Sequence, residues 1–307
     1  MAKKANGLTV FITNQEATCA ECGEGRGVDP AVSGYKQQNF TGSSIMNQSY
    51  RTKSLAVSVI TVVILMMILS SCQLAPQAAA GRETLFQYAT LDALLAGVYD
   101  GELTLAELKQ HGDFGLGTFN HLDGEMIELD GQVYQIKADG VAYRAGDEMR
   151  TPFAVVTDFE PDQRLSLKSG LDCEQLKTYL DSLLPSRNIP YALKIEGDFS
   201  YLKTRSVPAQ TKPYPPLLEV LADQPEFEFE PGRGVIVGFR LPDYMDGANA
   251  VGYHFHFINE ARTAGGHLLA CRVQAVTVEI DYIHEWQTVL PENEAFYGIE
   301  ATGDEYQ

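Results

Sequence analysis

Apolar and polar positions alternate with different periods in different parts of the chain, and the period predicts the element. Between Leu85 and Val98, residues Leu91, Leu94, Leu95 and Val98 recur at helical spacing. Thr104-Leu-Ala-Glu107 then forms a capping box ahead of a second short helix that stops near Gly112. From Gly115 to Phe159 short apolar runs are separated by Asp-Gly turns at Asp123-Gly124, Asp130-Gly131 and Asp139-Gly140, the punctuation of an antiparallel meander. Helical spacing returns over Asp172 to Leu184, with Leu176, Tyr179, Leu183 and Leu184 on one side.

A long strand is predicted from Tyr191. Tyr191, Leu193, Ile195, Phe199 and Tyr201 share one parity and Lys194, Glu196, Asp198, Ser200 and Thr204 the other, so the first set faces a core. Arg205 continues the apolar parity, although Leu202-Lys203 interrupts the alternation and a bulge there would reverse it. Pro208 and the prolines from 213 to 216 break the chain before a helix over Leu217 to Ala222. Strands then dominate at 234–241, 251–258, 267–280 and 286–290. The pattern predicts an α/β (α+β) protein with two β-rich lobes, at 85–190 and 191–290, a few flanking helices, and an acidic, solvated tail over 291–307.

Upstream of residue 85 the pattern is of another kind. Leu55 to Leu69 reads LAVSVITVVILMMIL, without a charge, after Arg51 and Lys53 and before Ser70, Ser71 and Cys72. A basic flank, a short apolar run and a small-residue exit are the layout of a secretory signal, and the run is short of the roughly 20 residues of a permanent span. Leu69-Ser70-Ser71-Cys72 resembles the lipobox of bacterial lipoprotein signals, in which the cysteine becomes an acylated N-terminus; an uncleaved anchor is the alternative. Residues 1–72 are accordingly expected to be a leader, with Met46 a better start than Met1, and 73–84 a small-residue linker. The remainder would be exported and tethered through Cys72.

Composition narrows the function. The 307 residues are 45% hydrophobic and 21% charged, with a formal charge of −18. Residues 1–71 hold six basic and four acidic side chains, which leaves 17 against 37, or −20, in 72–307. Such a body disfavours nucleic acid as a partner. Five cysteines are too few for a disulfide framework. Cys19-Ala-Glu-Cys22 lacks a second pair or a strand–helix context, and Cys173 and Cys271 are expected as reduced thiols, although an exported domain could pair them.

Chemistry concentrates in Gly252-Tyr-His-Phe-His-Phe257 and Gly265-Gly-His267, which hold three of the six histidines. His254 and His256 project from one face of a strand, and a hairpin through Asn259 to Gly266 brings His267 beside them. Three imidazoles with an open fourth position form a catalytic zinc arrangement, which also accepts Fe, Mn or Co. Arg205 would supply a bidentate anchor for a carboxylate, and Glu125, just after a turn, a proton relay.

Together Gly115-Leu-Gly-Thr-Phe-Asn120, Leu122-Asp-Gly-Glu-Met-Ile127, Thr151-Pro-Phe-Ala-Val155, Thr204-Arg-Ser-Val-Pro208 with Gln210 and Pro213-Tyr-Pro215, and the histidine motifs resemble the α-acetolactate decarboxylase family from about Leu85 to Pro291. The resemblance implies a two-domain fold with large mixed sheets, a homodimer, Zn2+ on His254, His256 and His267 with Glu125 and Arg205 beside it, and conversion of the small acid 2-acetolactate to (R)-acetoin and CO2. It also implies a C-terminal glutamate reaching back towards the zinc; the chain ends early for that, leaving Glu300 or Glu305. Two alternatives stay open. His254-x-His256-x3-Glu260 has the spacing of a cupin metal motif, which would make Glu260 a ligand, although no second such motif follows. A lipoprotein that binds metal or a small acid without turnover would need neither Arg205 nor Glu125. No HExxH-like helix points to metal-dependent hydrolysis.

Overall fold

A computed structural model describes residues 84–168 and 170–299. The leader, Met46, Cys72, Cys19, Cys22, Glu300 and Glu305 lie outside the described residues. The first sheet has the order β15-β1-β8-β3-β4-β5-β6. Its strands are β1 (Thr84–Tyr88), β3 (Phe114–Thr118), β4 (Glu125–Leu129), β5 (Gln132–Ile136), β6 (Ala142–Arg144), β8 (Ala154–Thr157) and β15 (Glu285–Val289). Only β1 and β15 run parallel; the other pairs are antiparallel, so the sheet is mixed. The small pair β2 (Leu103–Thr104) and β7 (Arg150–Thr151) stands apart.

The second sheet curls on itself. Its strands are β9 (Gln163–Leu167), β10 (Tyr191–Arg205), β11 (Glu226–Phe229), β12 (Gly232–Leu241), β13 (Gly252–Asn259) and β14 (Gly265–Tyr282). β10 pairs with β12 on one edge and β14 on the other, while β13 joins β12 to β14, so four antiparallel strands close a small barrel. Its interior holds Leu193, Ile195, Phe199, Phe255, Phe257, Val273 and Val278, covered at one end by Leu176 and Leu180 of α3 (Cys173–Asp181). The outer face of β12, with Val235, Val237 and Phe239, packs on Leu116, Ile127 and Val155 of the first sheet. Burial on both sides of these strands supplies the main driving force for the arrangement. Strands are exchanged across residue 190: β9 belongs to the second sheet and β15 to the first.

Several expectations need correction. The segment from Leu85 opens as strand β1 rather than helix, because Leu85 faces the inter-sheet core while Phe86 and Tyr88 face the other side. A strand covered on both faces shows no alternation to read. Ala89 at φ 63° ends it, and Thr90 caps the short helix α1 (Leu91–Leu95). The capping box at Thr104 does start a helix, α2 (Leu105–Leu108), and Leu217–Leu221 forms α4. Cys173 and Cys271 are not free thiols: they form a disulfide across 98 residues of sequence, with Cα atoms 5.0 Å apart. The start of α3 docks on β14, where Val273 donates its N–H to the Leu171 carbonyl, and spacing along the chain carries no trace of that approach. Finally, the segment after Pro291 is not simply solvated. Asn293 caps α5 (Glu294–Tyr297) and its side chain donates to Glu102 at 2.6 Å.

Candidate metal centre

Strand register brings the predicted residues together. His267 on β14 lies opposite His256 on β13 and, on its other edge, opposite Arg205 at the end of β10. The three therefore form one cross-strand row, and His254 follows two residues along β13 on the same face. That face is the one turned to the first sheet, since His256 pairs with Val237 and His254 with Phe239. Phe255 and Phe257 point the other way into the barrel. Arg205 reaches its place by a route other than the expected one. Register shifts between Asp198 and Tyr201 and between Lys203 and Thr204 move the interior parity from Phe199 to Leu202 and the buried Thr204. Arg205 is thereby turned out of the barrel, toward the histidines and β4.

The imidazoles form a near-equilateral triangle, with ring centroids 5.0–5.2 Å apart and one ligand atom of each within 4.8 Å of the others. His254 Nε2 lies 3.3 Å from His267 Nδ1, close to the about 3.3 Å between two nitrogens bound at about 2.0 Å to one tetrahedral ion. His256 Nδ1 is 2.8 Å from the Met126 carbonyl, to which it donates; this fixes the tautomer and turns Nε2 to the centre. His256 Nε2 and His254 Nδ1 are buried without a hydrogen-bond partner among the described residues. Burial depresses all three, aided by the Arg205 charge for His254 and His267 and first by the neighbouring His254 for His256: His254 falls to about 4, and His256 and His267 lie well below the ordinary histidine range. Three neutral imidazoles, with the orphaned His256 Nε2 turned to their centre, suit a cation, so this group could hold a metal ion.

Across from the row stands the first sheet's contribution. Glu125 opens β4 on the face it shares with Ile127 and Leu129. One carboxylate oxygen accepts from Arg205 Nη1 at 3.1 Å and the other lies 3.4 Å from His256 Nε2. Their side chains are 8% and 13% exposed, Glu125 and Arg205 respectively. Burial raises the Glu125 pKa, while the guanidinium works against that rise. All five predicted residues are thus gathered between the two sheets. Glu260 is not among them: it is exposed and paired with Arg233 at 2.9 Å, which removes the ligand that the cupin reading required. The Met126 carbonyl was missed, since a backbone acceptor has no sequence signal.

The family model for α-acetolactate decarboxylase matches residues 85–302. The chain belongs to the α-acetolactate decarboxylase family. It is 49% identical over 218 residues to the α-acetolactate decarboxylase of Methanosarcina mazei, covering 71% of this chain and 76% of that protein. With that of Klebsiella aerogenes it shares 47% over 212 residues, 69% of this chain and 82% of the relative. The crystal structure of α-acetolactate decarboxylase from Bacillus subtilis strain 168 superposes with a TM-score of 0.70 at 40% identity, covering 71% of this chain and 94% of that one. Membership makes the chain an enzyme, a carboxy-lyase acting on a small molecule, and the family's fold agrees with the strand-rich architecture described above.

Proposed function

We propose that this chain decarboxylates 2-acetolactate to (R)-acetoin and CO2 at a Zn2+ held by His254, His256 and His267. The observation that carries the reading is the pairing of a neutral three-histidine group with a buried Arg205–Glu125 pair on the facing sheet. Bound there, zinc would supply Lewis-acid stabilisation of the negative charge that builds on substrate oxygens as CO2 leaves. The protein side chains do the rest. Arg205 has a planar fork of donors suited to a carboxylate, and it anchors the carboxylate of the incoming acid and orients it for loss. Loss of CO2 from a β-keto acid leaves an enediolate that needs a proton at one face of carbon. Glu125, buried between Arg205 and His256 with its pKa raised by burial, is placed to deliver that proton from one side, which supports the single hand of the product.

The same reading includes export and a tether through Cys72. The signal-like run before Cys72 supports this, as does the Cys173–Cys271 disulfide, a bond that persists in oxidising compartments. Among the described residues no helix is long and apolar enough to cross a membrane. A homodimer is part of the same proposal. Elemental analysis of the purified protein together with an acetoin assay on racemic acetolactate tests the activity. One zinc per chain and release of (R)-acetoin are expected, and His256→Ala should lose both. Full turnover by His256→Ala, or none by the metal-loaded wild type, would overturn it.

A further inference from the structure

The backbone that delivers Glu125 to the site is strained and heavily tied. His121 (φ 64°) and Leu122 (φ 55°) are left-handed without being glycine, and Gly124 follows at φ 89°. A leucine in that region is an outlier that persists only where its surroundings over-determine it. The surroundings here do so from every side. The His121 N–H donates to the Tyr99 carbonyl at 2.8 Å, and the His121 carbonyl accepts from the Gln210 N–H at 2.7 Å. Asn120 exchanges two side-chain bonds of 2.9 Å with the backbone of Gly101, and Leu122 is buried in the inter-sheet core. Thr118 Oγ1 donates to the Gly124 carbonyl at 2.6 Å. A Cβ on Gly124 would lie 2.3 Å from the Ile136 carbonyl oxygen, so this turn tolerates only glycine.

Asp123 is the remaining link, and it is held from β5. The buried Gln135 donates through Nε2 to the Asp123 carbonyl at 2.6 Å and to Oδ2 at 3.0 Å, and Lys137 Nζ reaches Oδ2 at 2.8 Å. Gln135 is also the cross-strand partner of Met126, whose carbonyl orients His256. We infer that Gln135 and Lys137, acting through Asp123, are positioning residues that hold the strained 121–124 turn and so set the Glu125 carboxylate between Arg205 and His256. The inference rests on the proposed role of Glu125. A group that transfers a proton must be placed to a fraction of an ångström, and an error of about 1 Å can cost on the order of 100-fold in rate. Neither Gln135 nor Lys137 is hydrogen bonded to Glu125 or to the histidines, so their loss acts on placement.

The test uses the full-length metal-loaded protein with the substitutions Gln135→Leu, Lys137→Met, Lys137→Arg and Glu125→Gln. For Gln135→Leu we expect kcat to fall about 10-fold or more with KM within about 2-fold, one metal per chain as in wild type, and an unchanged far-UV circular dichroism spectrum. Lys137→Met should show a smaller fall of kcat, restored by Lys137→Arg, and this pair decides the matter if Gln135→Leu does not fold. Wild-type kcat in Gln135→Leu, or in Lys137→Met where that pair decides, overturns the inference, as does a rise in KM with kcat intact. Glu125→Gln separates the two failures. If it is inactive while the brace variants keep wild-type kcat, the positioning inference alone fails; if it is itself fully active, the proposed role of Glu125 fails first.

Discussion

Glu125 and Glu128 sit three residues apart on β4, on opposite faces of the first sheet, and both are buried. Glu125 faces the second sheet and meets Arg205. Glu128 shares its face with Met126 on the far side, fully buried, and neither of its oxygens has a hydrogen-bond partner among the described residues. Burial raises the pKa of both. For Glu128 the Lys109 charge opposes burial while Asp113 and Asp158 add to it, and the pKa reaches about 8. Burial by itself therefore makes a protonated carboxyl group; a charged partner in a site makes a useful one. The same desolvation is chemistry on one face of the strand and a stability liability on the other.

Exchanging one glutamate at a time should separate these roles. The largest effect is expected from Glu125→Gln, with kcat lower by about 100-fold or more and the thermal midpoint little changed, whereas Glu128→Gln should leave kcat within about 2-fold. Steady-state acetoin formation by the two variants measures this directly, and equal losses would end the contrast. Arg205→Lys comes next. It keeps the charge but loses the fork, so kcat/KM should fall by roughly 10- to 100-fold, mostly through KM.

Glu128 predicts a pH effect of definite sign. Its folded pKa of about 8 lies above the ordinary glutamate value of 4.5. Below about pH 4.5 both states are protonated and Glu128 has no effect on the balance. Between pH 4.5 and 8 the unfolded chain releases a proton that the folded one keeps, so stability falls as pH rises and levels off above 8. The loss is on the order of a few kcal/mol. Denaturant unfolding from pH 5 to 8.5 should show this slope in wild type and a flatter line in Glu128→Gln; parallel profiles would show that Glu128 ionises freely. The smallest effect concerns long-range charge. The positive groups of the site act at short range inside a body of −20, so kcat/KM should drop less than about 2-fold between 50 and 300 mM salt. A steep fall would assign substrate capture to surface charge.

Much of the site was legible because its signals are local. His254 and His256 declare a common face by strand parity, and the hairpin to His267 is short enough to follow along the chain. Glu125 was visible only as a carboxylate after an Asp-Gly turn. Its burial and its meeting with Arg205, 80 residues away, depend on two sheets packing face to face. For Arg205 the residue was right and the reason incomplete, since a bulge, and not continued alternation, turns it to the site. Strand β1 was hidden by burial on both faces, and the disulfide by a sequence separation of 98.

Taken alone, the sequence determined the family, the β-rich class, the three candidate ligands and the acidic character of the body, because these rest on residue identity and on spacings of a few residues. Tertiary structure decided which face of β4 carries chemistry, which register sets Arg205, His267 and His256 in one row, and which cysteines join. Those depend on the relative placement of strands far apart in the chain, and hydrogen bonding between strands and burial between sheets settle that placement only when the whole fold is assembled.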